Sequence, residues 1–307
     1  MRAGKRTGRG GDEKRGKGRL ALVILGTVWL LLGCGLLELA PPLAPPTAVL
    51  PIITPPVILT PPVILTHPVI LTPSPTAAPD TGWQPLQTGL ERRQINLPGG
   101  DGLPWESVYL LRLEPVHFRF DLAYRPGEPL ALSQWLEETG ALLVVNGGYF
   151  TAEHVATGRI IVNGEASGVG YGDFAGMLAI DEAGWPELWW LRERPYNPAE
   201  PLWAGLQSFP VLVRPGGELG FPEEDGRPSR RTVIAQDRQG RFLFIVTRGG
   251  GFTLHQLSRY LTTSDLDLHI ALNLDGGTST GLILREPAES IPPFVPLPSV
   301  ITIHTRS

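Results

Sequence analysis

Cysteine is almost absent from this 307-residue chain. Cys34 is the only one, so no intramolecular disulfide can form and any folded body must be held by its core. Familiar catalytic signatures are missing as well. No glycine-rich loop ends in Gly-Lys-Ser/Thr to cradle nucleotide phosphates. His117, His154, His255 and His269 lack the paired spacing of a zinc site, so no metal site is expected. Positive charge is concentrated in the first 19 residues, where eight Lys or Arg stand against Asp12 and Glu13. That stretch carries +6, so a chain of net charge −4 leaves −10 for the remainder. An acidic body has no basic footprint with which to displace counterions from a phosphate backbone, which excludes nucleic acid as a partner.

The ends differ in kind. Residues 20–40 are almost wholly apolar until Glu38, the pattern of an export signal or membrane anchor. Cys34 closes the run Leu31-Leu32-Gly33-Cys34, which resembles a bacterial lipobox. Cleavage before Cys34 and acylation of its thiol would tether the mature chain by lipid. An uncleaved signal anchor is the alternative, since about 20 apolar residues span a bilayer. Both place the body outside the cytoplasm and against a membrane, because the basic flank stays inside. Residues 41–80 are rich in proline, and Pro55-Pro56-Val57-Ile58-Leu59-Thr60 recurs at 61–66 and nearly at 67–72. Repeated Pro-Pro pairs favour an extended spacer.

The composition turns globular over 81–307. Short apolar runs bounded by turn residues predict strands at 107–113, 118–123, 141–145, 159–162, 177–180, 187–191, 211–213, 232–235, 242–247, 270–274, 281–284 and 300–304. Asn163-Gly164 and Pro215-Gly216-Gly217 are turn signals. Residues 133–139, followed by Gly140, predict a short helix. Thr253-Leu254-His255-Gln256 predicts a better one, opened by a capping box with Leu254, Leu257 and Leu261 as its apolar stripe. Strands with a few helices imply a single strand-rich α+β domain with mixed sheets.

Two loops could carry chemistry. In Val144-Val145-Asn146-Gly147-Gly148-Tyr149-Phe150 an apolar strand runs into two glycines that would let backbone approach a ligand, with the Asn146 amide at the strand end. A tight turn closed by Asn-Gly-Gly with two core aromatics is the competing reading, and the one that local pattern favours. In Asn273-Leu274-Asp275-Gly276-Gly277-Thr278-Ser279 a carboxylate leaves an apolar strand beside glycines and hydroxyls. Asp275 is the best candidate acid, and the glycine amides would form an anion-binding nest. An Asp-Gly hairpin is the competing reading. No ligand cluster supports a divalent cation near Asp275. Arg230, Arg231 and Arg248 flank strands, where an arginine fork can grip phosphate oxygens.

In order and spacing, the Asn-Gly-Gly-Tyr-Phe loop, the run from Gln207 to Val213, Arg231-Thr232-Val233-Ile234 and Asn-Leu-Asp-Gly-Gly-Thr-Ser together resemble the phosphodiester glycosidase family over about 105–304. The resemblance implies hydrolysis of a sugar-1-phosphodiester, with relatives in bacteria associated with exopolysaccharide or cell-wall glycans, and hence a carbohydrate phosphodiester as partner. It implies Asp275, Arg231 and Asn146 as catalytic residues, with Asn146 holding sugar hydroxyls. Gly147, Gly148, Tyr149, Arg248, Gly276, Gly277, Thr278 and Ser279 are implied as substrate contacts, and no cofactor. The chain departs from the family at Phe209, where a glycine is usual, and at Val246-Thr247-Arg248, where the usual acid before the arginine is missing. Those departures favour an alternative, a non-catalytic glycan-binding or polysaccharide-assembly protein of the same fold.

Overall fold

A computed structural model describes residues 79–306. The leader expected over 1–40, with Cys34, and all but the last two residues of the linker expected over 41–80 lie outside the described residues.

Strands dominate the described body, numbered here in chain order. The largest sheet runs β1 (Gln84–Gln87), β2 (Leu90–Gly100), β3 (Leu103–Leu113), β14 (Phe242–Thr247), β13 (Thr232–Asp237), β15 (Leu268–Asn273), β11 (Val211–Arg214), β12 (Glu218–Leu219). A second runs β17 (Glu289–Ile291), β16 (Leu282–Leu284), β5 (Leu143–Asn146), β18 (Ser299–Thr305), β4 (Phe118–Tyr124). The third runs β7 (Glu165–Ser167), β6 (Ile160–Val162), β10 (Ala204–Ser208), β8 (Gly176–Ile180), β9 (Pro186–Trp190). Every expected strand is present, and β2, β10 and several short edge strands join them.

The central strands read as unbroken apolar runs because both of their faces are covered. In β14, Phe242, Phe244 and Val246 enter a core shared with Phe120, Val145 and Leu178 of the two smaller sheets. Leu243 and Ile245 turn the other way and pack with Leu257 and Leu261 of α2 (Leu254–Thr263). That helix starts as its sequence requires: the Thr253 hydroxyl accepts from the Gln256 amide at 3.2 Å, and the Gln256 side chain accepts from the Thr253 amide at 3.1 Å. The second helix, α1 (Leu132–Thr139), lays Leu132, Trp135 and Leu136 on the outer face of the second sheet. It stops at Gly140, whose φ of 62° suits a residue without a side chain. With only these two α-helices among the described residues, the expected α+β class holds loosely, and the described body is mostly β. The sheets, expected to be mixed, pair antiparallel throughout because neighbouring strands run in opposite directions.

Three crossings between sheets position the site. The chain leaves β5 in the second sheet for the third, leaves β10 in the third for the large sheet through Phe209-Pro210, and leaves β15 in the large sheet for the second. They meet one another. The Asp275 amide donates to the Gly147 carbonyl at 3.2 Å, and the Asn273 side-chain amide donates to the Phe209 carbonyl at 3.1 Å.

Candidate active site

Asp275 sits at the last of these crossings. β15 pairs with β13 and β11, whereas β16 pairs with β5 and β17, so Asp275-Gly276 is no hairpin turn. Its carboxylate accepts from the Gly276 amide at 2.8 Å and from the Ser279 hydroxyl. Burial lifts its pKa above the usual carboxylate range, opposed by those two donors. Two phenols share its surroundings. Burial raises the pKa of Tyr149 and of Tyr171, and the Asp275 charge pushes each further in the same direction. The Arg231 charge opposes the shift at Tyr149. Among the described residues no three His, Cys, Asp or Glu side chains come together as a metal site.

The glycines do something other than expected. A Cβ on Gly147 would lie 2.3 Å from the Ser299 hydroxyl and 2.9 Å from its carbonyl oxygen, and one on Gly148 3.1 Å from Leu206. These glycines let protein backbone approach protein, where approach to a ligand was expected. The nest expected at Gly276 and Gly277 is also absent. The Gly276 amide is taken by the Asp275 carboxylate, and the Gly277 amide by the Arg230 carbonyl at 2.8 Å.

Asn146 is likewise turned inward. It is fully buried, its amide nitrogen donates to the Asp275 carbonyl at 2.8 Å, and its oxygen accepts from the Thr232 hydroxyl at 2.7 Å and the Gly281 amide at 3.0 Å. The side chain clips three segments together and has no group left for sugar hydroxyls, which corrects the role expected for it.

The arginines divide their labour. Arg231 is 8% exposed and gives Nε to the Phe252 carbonyl at 3.3 Å and Nη2 to the Arg227 carbonyl at 2.6 Å. Only Nη1 remains, 3.9 Å from where a Gly276 Cβ would stand. Arg230 is the reverse case. Its Nε and Nη1 are buried and without a partner, and only Nη2 is used, on the Pro292 carbonyl at 3.3 Å. Burial lowers its pKa, with the Glu106 charge opposing. Arg230 and exposed Arg248 line a hollow of about 310 Å³ with Ser290, Pro292 and Phe294. That hollow borders the Asp275 loop, since the Phe294 amide donates to the Thr278 carbonyl at 2.7 Å. Thr278 is exposed there and Ser279 is buried.

Sequence reasoning passed over two residues, Tyr171 and Glu106, and the spacing around Ser279. Tyr171 lies in a loop with no motif. Gly277-Thr278-Ser279-Thr280-Gly281 has the Gly-x-Ser-x-Gly spacing of a serine nucleophile elbow, yet Ser279 is 4% exposed, stands on a 3-10 turn, and gives its hydroxyl to Asp275 with no histidine base. Glu106, 1% exposed, accepts the amides of Ser107, Gly249 and Gly251 and so fixes the loop after Arg248. Replacing Glu106 by Ala strands these donors and is expected to lower stability by about 2–4 kcal/mol in a urea titration. A change below about 0.5 kcal/mol would mean that water replaces the carboxylate.

Residues 139–304, over half the chain, match the family model for phosphodiester glycosidase, and the chain belongs to that family. The fold is shared with solved structures. One is the catalytic domain of zebrafish N-acetylglucosamine-1-phosphodiester alpha-N-acetylglucosaminidase, auto-inhibited by its pro-peptide, at 20% identity and a TM-score of 0.58 over 73% of this chain and 85% of that one. Another is a hypothetical protein from Synechocystis, at 15% identity and a TM-score of 0.52 over 72% of this chain and 63% of that one. No curated protein sequence matches.

Proposed function

We propose that this chain is a hydrolase that cleaves a sugar-1-phosphodiester of a cell-surface or exopolysaccharide glycan, outside the cytoplasm and tethered through its N-terminal leader. One observation carries the reading: Asp275, half-buried and with its pKa raised by desolvation, lies at a crossing where its charge reaches two phenols and its loop borders an arginine hollow in which Arg230 has two unpartnered donors. In the reaction the bond from the anomeric carbon to the phosphate oxygen breaks, its electrons leave with the phosphomonoester, and water supplies hydroxyl to the sugar and a proton to solution. A phosphomonoester leaves readily, so the main demand is to neutralise its charge and to stabilise the positive charge growing at the anomeric carbon. Arg230 and Arg248, with Nη1 of Arg231, hold the phosphate. Asp275 acts as nucleophile or as base toward water. Tyr149, Thr278 and Ser279 line the space between.

The test is turnover of N-acetylglucosamine 1-phosphodiester and other sugar-1-phosphodiesters in ¹⁸O water. Free sugar and phosphomonoester are expected in equal amounts, with the label on the sugar. Label on the phosphate would make the chain a phosphodiesterase instead. Binding without turnover would favour the tethered glycan-binding protein, a reading supported by Phe209, whose ring packs 4.7 Å from Tyr149 and 5.1 Å from Tyr171, centroid to centroid, beside Asp275.

A further inference from the structure

A second cavity, of about 330 Å³, has Phe209 on its wall but neither Tyr149 nor Asp275, and is used by nothing in the chemistry above. Its walls include Phe174, Trp190, Phe209, Phe221 and Leu254. Its size is at the lower end of ligand pockets, roughly 300–1,000 Å³. The charged side chains on its lining are Arg192 and Arg214, which stand 5.2 and 5.3 Å from the Trp190 ring centre.

The two arginines are unequal. Arg192 is solvent-exposed and paired with Asp173 at 3.1 Å. Arg214 is half-buried, makes no ion pair among the described residues, and has one long hydrogen bond, to the Gly220 carbonyl at 3.4 Å. Glu218 stands opposite it on β12 without closing an ion pair. A partly desolvated guanidinium left unpaired beside an apolar hollow suits an anion, which its planar fork can hold through two parallel bonds. The rest of the lining narrows the choice. No amide, hydroxyl or carboxylate side chain faces the hollow, so a sugar or nucleobase would lose its hydrogen bonds to water at about 1–3 kcal/mol for each unpaired group. A hydrocarbon loses none.

We propose that this hollow is a binding site for a hydrocarbon group that carries an oxyanion, such as an aryl or alkyl phosphate. The apolar part lies against Phe174, Phe209 and Phe221, and the oxyanion on Arg214. The site is separate from Asp275 and does not depend on the hydrolytic reading, although the two share Phe209 as a wall.

Phenyl phosphate is the probe, titrated calorimetrically into the full-length chain beside inorganic phosphate and benzyl alcohol. It is expected to bind at least about tenfold more tightly than either fragment, and Arg214→Gln to weaken it by about tenfold or more, the loss of one charge-assisted contact. Arg230→Gln, in the phosphate-holding hollow near Asp275, should leave that affinity unchanged. The proposal is overturned if phenyl phosphate binds no better than its fragments, if Arg214→Gln binds it as wild type does, or if Arg230→Gln loses it, which would put the ligand in the other site. Should Arg214→Gln fail to fold, Leu254→Glu sets a negative charge on the hollow's wall and must abolish binding; retained affinity sinks the idea equally.

Discussion

Asp275→Asn is expected to cut sugar release by about 10³-fold or more while making the folded protein more stable at neutral pH. Both effects come from the same burial. The folded state raises the pKa of this carboxyl, so the folded protein binds the proton more tightly than the unfolded chain does. Its contribution to stability is therefore full below the unfolded pKa and is lost as pH rises through the folded one. At neutral pH the wild type holds a desolvated charge. Asparagine is close in shape and still accepts from the Gly276 amide and Ser279 hydroxyl, so it keeps the loop and removes the desolvation cost. Tm should rise by about 2–4 °C for each kcal/mol recovered. Activity runs the opposite way with pH: a nucleophile or base must be ionised, so wild-type turnover should fall as pH drops through the raised pKa, above the range of an ordinary carboxylate. Thermal melts and pH–rate profiles of the two proteins read both effects. Turnover by Asp275→Asn at the wild-type rate ends the assignment, and a melt lower than wild type would mean that the carboxylate is compensated where it lies.

Much of this body is legible in sequence wherever burial and chemistry coincide. β13 and β14 are apolar on both faces and read as strands directly, and α2 announces its start through Thr253 and Gln256. The strands that are hard to read bury polar residues. β10, Ala-Gly-Leu-Gln-Ser, is buried along its whole length, yet Gln207 is tolerable there only because its side-chain oxygen accepts from the Tyr171 amide at 2.7 Å, a loop contact invisible from β10 itself. β2 carries Arg92 and Arg93 side by side, which looks like solvated surface. Neighbours on a strand point to opposite faces, and each finds its own carboxylates, Glu289 for Arg92 and Asp80 with Asp265 for Arg93. Just before β13, Arg231 turns into the fold and leaves only Nη1 toward the site, whereas Arg230 turns toward the hollow, and local pattern does not say which of two adjacent arginines does which. Nor does a glycine pair say whether the closely approaching atoms belong to a ligand or to the protein. At Gly147 they belong to Ser299 of another strand.

Asn146→Leu is expected to cost about 3–5 kcal/mol, enough to remove a large part of the stability of an ordinary domain. The substitution is close in size, so little cavity forms. What it removes is pairing: the Thr232 hydroxyl, the Gly281 amide and the Asp275 carbonyl all lose a buried partner, at about 1–3 kcal/mol for each group left unsatisfied. Asn146→Asp sharpens the test. Its carboxylate can still accept from Thr232 and Gly281, but at neutral pH it turns a negative oxygen toward the Asp275 carbonyl, where an N–H had been. Protonated, the acid can donate again, so this variant should be more stable at low pH than at neutral pH relative to wild type. The two possible roles of Asn146 separate in the measurement. A side chain that held sugar hydroxyls would raise KM in either variant and leave the unfolding midpoint alone. A clip between sheets lowers the midpoint in both, with the larger kinetic loss in kcat because Asp275 itself is displaced. An unchanged midpoint with a raised KM would return Asn146 to the substrate.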